Sequence, residues 1–171
     1  MTVATDELTT VTLAVLECLR TQLAALDNPP ANVMLRTGER TEALLSMFRD
    51  ECCEGLGWVR PGAIYPSTND FPNPDQGVSS CGPDRWAAQL ELGVVRCAPT
   101  PDAQTLTSAD EWNDATIQIL ADAAAMRRAL YCLETAPAMQ DRLWVAGPWT
   151  PTPTEGGCMG GTHLLTVAIT C

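Results

Sequence analysis

The chain has 171 residues, 46% of them hydrophobic and 18% charged, and a net charge of −11 from 21 acidic and 10 basic side chains. That length suits one domain with its own core, because a chain near 150 residues buries about 68–70% of its unfolded surface. The composition excludes wholesale disorder, and the acidic balance excludes both a binder that grips nucleic-acid phosphates by charge and a polybasic membrane patch.

The N-terminus has neither a basic region nor an apolar stretch, so it does not read as a secretory signal. No run approaches the ~18 apolar residues of a membrane-spanning helix. These features predict a soluble protein made in a cytoplasm.

Residues 6–26 predict a helix, with Val15, Leu16, Leu19, Leu23 and Leu26 on one stripe and Asp6 and Glu7 at the positive end of its dipole. Asp27-Asn28-Pro29-Pro30 stops it, and Ala31–Leu35 predicts a short strand. A second, shorter helix is expected over 39–52, broken by Gly55-Leu56-Gly57. Trp58–Tyr65 predicts a strand, with Pro61 calling for an edge position or a bulge.

A proline- and glycine-rich loop is expected over 66–85. Trp86–Ala98 predicts the clearest strand, with Ala88, Leu90, Leu92, Val94 and Arg96 on its mainly apolar face. Ser108-Ala109-Asp110-Glu111 is a capping box that starts a helix at residue 109. Trp112, Ile119, Ala123, Met126, Leu130 and Leu133 form its core stripe, and Pro137 is expected to end it. Arg142–Gly147 and His163–Ile169 predict two strands joined by a Pro/Gly-rich loop.

This order predicts a single α+β domain over residues 1–171. It would be a mostly antiparallel sheet with two main helices packed on one face, and long extended loops.

Eight cysteines are scattered at 18, 52, 53, 81, 97, 132, 158 and 171, with no Cys-x-x-Cys pair to suggest zinc or a redox dithiol. They read either as buried small hydrophobes or as disulfides formed once the protein leaves a reducing cytosol. The two readings are compatible in a protein made inside a cell that works outside it.

Chemical signatures are weak. His163 has no local nucleophile or orienting carboxylate, and a distant cysteine partner is the one catalytic arrangement left open. The pairs Gly156-Gly157 and Gly160-Gly161 lack a phosphate-loop context and read as turn chemistry. Asp110, Glu111 and Asp114 read as ordinary dipole partners at a helix start before they read as a metal site. Glu51 and Glu54 read equally well as a solvated helix end. No cofactor and no metal are expected. Trp112 is expected in the core. Trp149, in a predicted loop, is expected either to anchor an interface or to fold back on its own domain.

Several phrases then carry a resemblance. They are Cys52-Cys53 with Gly57-Trp58-Val59-Arg60, Ile64-Tyr65-Pro66-Ser67, Trp86 through Pro99, Asp122 through Leu130, and Gly147-Pro148-Trp149-Thr150-Pro151 leading to Gly156-Gly157-Cys158. In order and content they resemble tail terminator proteins of siphophages, and neck proteins of actinobacteriophages in particular. All ten basic residues are arginine, a composition that agrees with a GC-rich host.

The resemblance implies a non-enzymatic virion protein at the head–tail junction, assembled in the host cytoplasm. It would form a homo-oligomeric, hexameric ring that caps the tail tube, stops its polymerisation and meets a head-side stopper or connector. The partners implied are the tail tube protein, that connector, and genomic DNA passing without sequence preference through the lumen; no membrane is implied. Tyr65, Phe71, Trp149 and Met159 are expected at contacts between subunits or with a neighbouring ring. Asp70, Asp75, Glu91 and Glu155 are the candidate carboxylates of a lumen that repels DNA phosphates. The alternatives are a stopper or adaptor and, in other classes, a disulfide-stabilised binding protein or a thiol- or metal-dependent enzyme.

Overall fold

A computed structural model of the chain describes residues 6–37, 53–67, 70–75, 85–101 and 106–170. Two helices, α1 (Glu7–Ala24) and α2 (Ala109–Leu133), lie on one face of a five-stranded sheet. The strands are β1 (Asn32–Leu35), β2 (Leu56–Ser67), β3 (Arg85–Cys97), β4 (Trp144–Glu155) and β5 (Cys158–Ile169), in spatial order β1-β2-β3-β5-β4. Every pairing is antiparallel except that of β1 with β2. The fold is therefore α+β, as the sequence predicts. The short helix expected over 39–52 lies outside the described residues.

Local chemistry explains the helix starts. Asp6 caps α1 by accepting a 2.7 Å hydrogen bond from the Thr9 amide, and hydrogen bonding from Thr9 holds its carboxyl below the ordinary value. The capping box at Ser108 and Glu111 is complete, with each side chain bound to the other's backbone amide. α2 ends at Leu133, four residues before Pro137. That proline begins a short 3-10 turn, Pro137–Met139, and does not terminate the helix.

The core forms where Val11, Val15, Leu19 and Leu23 of α1 and Met126, Leu130 and Leu133 of α2 meet Val59, Leu90, Leu92, Val94, Leu165 and Val167 of the sheet. The β3 face predicted to be apolar is the one that meets the helices. Arg96, on that same face, is buried and binds Asp122 of α2 through two bonds of 2.7 and 2.8 Å. A disulfide between Cys18 and Cys132 joins α1 to α2, and another joins Cys53 to Cys97. Cys158 is also disulfide-bonded, so all five described cysteines are oxidised.

The chain ends of the described fold are tied together as well. Glu7 forms an ion pair with Arg142, and its Oε2 accepts 2.6 and 2.7 Å bonds from the Thr170 amide and hydroxyl.

On the opposite face of the sheet, Leu56, Trp58, Val95 and Cys158 form a second buried cluster. Trp58 pairs across the ladder with Gly93, and a Cβ at residue 93 would strike the indole ring. Gly93→Val is therefore expected to cost about 1–3 kcal/mol by overpacking. Gly62→Val, at a position whose Cβ would first meet Gln89 O at 3.4 Å, is the matched control. Urea denaturation of the two variants checks this, and equal midpoints would contradict the close approach.

Three expectations need correction. Cys53 and Glu54 are helical and Gly55 ends that turn, as expected, but the strand is longer than predicted: β2 starts at Leu56 and runs to Ser67, with the bulge that Pro61 predicted between Pro61 and Ile64. The stretch from Pro148 to Gly161 is not a loop. It is the distal half of a β4–β5 hairpin closed by Gly156 and Gly157 at φ 59° and 80°, the left-handed conformations of a tight hairpin turn. Pro148 and Pro153 sit in bulges of an edge strand, where a missing N–H costs no ladder bond. Trp112 is 40% exposed and lies beyond the core, because no residue of α2 before Ile119 is buried.

Candidate functional site

α2 carries two apolar faces. One is the core stripe already described. The other points away from the core and holds Ile117, Leu120, Ala124 and Tyr131, with Arg127 between the last two. Their spacings are +3, +4, +3 and +4, which place them on one side of an α-helix. Ile117, Leu120 and Tyr131 are 64%, 57% and 62% exposed. Leu106, just before the helix, is 88% exposed. Single exposed apolar residues are ordinary, but a contiguous set on one face marks an interaction surface.

An open groove of about 470 Å³ runs beside this face, lined by Leu120, Ala123, Ala124, Arg127, Trp149 and His163. Strand pairing builds its floor, since Trp149 of β4 lies opposite His163 of β5. The Trp149 indole packs over Gly161, where any Cβ would collide with it. Its Nε1 is buried without a hydrogen-bond partner. His163 is buried, and its Nδ1 lies 3.1 Å from the Gly147 carbonyl. A carbonyl only accepts, so Nδ1 carries the proton and donates it there. The lining contains an exposed guanidinium but no carboxylate.

The residues predicted from the sequence do not form one surface. Tyr65, Phe71, Asp70 and Asp75 come together at the far end of β2, where the 70–75 turn folds back on the strand. Tyr65 donates 2.8 Å to Pro72 O, and Ser67 donates 2.9 Å to Asn73 O. Asp70 is exposed and accepts from Asn73 Nδ2, while Asp75 donates its amide to Pro66 O. Met159 lies opposite Arg96 on the helix side of the sheet. Glu155 ends β4 beside the hairpin turn.

Glu91 sits on the face away from the helices, bound to Arg60 at 2.8 Å and to Trp58 Nε1 at 3.0 Å. Its charge is matched locally, which makes it a poor member of a repelling lumen. Trp149 is half-buried: it packs in part against its own core and also lines the groove beside α2.

The sequence reading missed the outward face of α2. Its signal was available, as a second set of apolar residues at helical spacing offset from the core stripe. The catalytic pair left open for His163 finds no thiol among the described cysteines, since each is in a disulfide. Among the described residues no helix is long and apolar enough to cross a membrane.

No protein-family model and no curated protein matches this chain.

Proposed function

We propose that the chain is an assembly subunit of a phage neck, forming a ring that caps the head-proximal end of the tail tube and joins it to the head-side connector. The observation that carries this reading is the outward apolar face of α2 with its adjoining groove, a surface that a lone monomer leaves in water. An open sheet with two helices on one face also suits a terminator better than a mainly helical adaptor or a small-barrel stopper. The net charge of −11 suits a conduit for DNA. Asp70, exposed at the start of the 70–75 turn, has the solvent access that a lumen carboxylate needs.

A second reading, a disulfide-stabilised binding protein, draws support from the oxidised state of all five described cysteines. The two differ in where the protein resides. Gold-labelled antibody against the chain, applied to particles of the phage that encodes it, is expected to mark the head–tail junction. Deletion of the gene is expected to give overlong tubes. Unlabelled virions, with the epitope confirmed accessible on detached tails, would reject the neck assignment and favour the binding protein.

A further inference from the structure

We infer that the ring contact is made by the projecting start of α2 in one copy seating in the Trp149–His163 groove of the next. The inference rests on the ring reading above and names the surfaces that would build it.

No residue from 109 to 118 is buried, so about 15 Å of helix stands beyond the core at 1.5 Å per residue. Asp110, Asp114 and Ile117 fall at i, i+4 and i+7 and share one side of that projection. It therefore presents two carboxylates and one large apolar side chain. The groove presents the complement: Leu120 and Ala124 for the apolar residue, and exposed Arg127 for the carboxylates. Acid and base lie at different ends of the same helix, so a second copy of the chain supplies what the first copy's groove lacks.

The arrangement also favours a ring over a two-fold dimer. At 100° per residue, the side bearing Asp110 and Asp114 is rotated by about 90° from the side bearing Leu120, Ala124 and Arg127, and Ile117 lies between the two. The carboxylates of one copy can therefore meet one neighbour while its Arg127 meets another. Each copy then donates to one neighbour and accepts from another, a heterologous contact that closes when the rotation between copies closes.

The test is sedimentation velocity of the full oxidised chain over a range of concentrations. The wild type is expected to form a closed oligomer larger than a dimer. Arg127→Glu, at an exposed position, is expected to abolish it, as is Ile117→Ser. The charge-swapped chain Asp110→Arg/Asp114→Arg/Arg127→Glu is expected to recover it. Arg128→Glu, at a residue outside the groove that bonds Gln22, is expected to leave it unchanged.

A wild type that stays monomeric or stops at a dimer would overturn the inference. So would an oligomer indifferent to Arg127→Glu. Overlong tails on gene deletion would still support the neck assignment in that case, so the two failures are distinguishable.

Discussion

Replacing Asp122 with alanine is expected to destabilise the domain by about 3–5 kcal/mol, the usual cost of leaving one member of a buried ion pair alone. The Arg96 and Asp122 side chains are 7% and 3% exposed and meet in a two-bond, fork-like geometry. Arg96 Nη2 also donates 2.9 Å to the Asn28 carbonyl, which joins the α1–β1 connection to β3 and α2. Without the carboxylate, the guanidinium stays buried with that carbonyl as its remaining described partner. Asp122→Asn keeps an acceptor and loses the charge, so its cost is expected to be smaller. The double variant Arg96→Met/Asp122→Leu removes both charges and is expected to regain most of the loss. It still leaves the Asn28 carbonyl without its donor, a deficit of about 1–3 kcal/mol. Guanidinium denaturation of the three variants decides the matter. An Asp122→Ala midpoint equal to that of the wild type would show that the pair is dispensable.

That pair illustrates what could not be read from the sequence. Arg96 reads as a polar residue in an apolar alternation, and Asp122 as one acid in an alanine-rich helix. Their meeting depends on the register of β3 under α2, which no local pattern encodes. By contrast, the capping box at Ser108 and the core stripe from Ile119 to Leu133 depend only on neighbours along the chain, and both are found where expected. Trp112 shares the angular position of that stripe. Periodicity says which side of a helix a residue faces, but not where the core beneath it ends. The hairpin from β4 to β5 was hidden for a different reason. Three prolines argue against a strand in general, and only the knowledge that β4 is an edge, with bulges at two of them, removes the objection.

Those prolines also bear on assembly. An exposed strand edge is the obvious place for another chain to add a strand. Pro148, Pro151 and Pro153 leave the edge strand β4 with three fewer amide donors, and β1 at the other edge is four residues long. Both edges are poor templates. Among the described residues α2 combines exposed apolar side chains with complementary charge, which is why the proposed contact between copies is assigned to helix and groove.

The second large effect is expected from the Cys18–Cys132 disulfide. It joins α1 to α2 at a Cα–Cα distance of 5.7 Å and closes a loop of 114 residues. The Cys53–Cys97 bond, with a separation of 44, lies inside that loop and shortens its effective length to 114 − 44 = 70 residues. Chain-entropy reasoning then assigns the outer bond about 4 kcal/mol, and the logarithmic dependence makes the figure insensitive to the correction. Cys18→Ala/Cys132→Ala is expected to lose about that much in an oxidising buffer. Reductant should lower the wild type at least as far, and the same stability with and without it would contradict the assignment. Most of this effect acts on the unfolded chain, so the folded surface of α2 should survive it. Met126, Leu130 and Leu133 still hold the helix from beneath when the bond is open. A chain made with reduced cysteines in a cytoplasm would therefore be able to assemble at a lower stability. Oxidation after release would then raise its resistance to unfolding without altering the contacts between subunits.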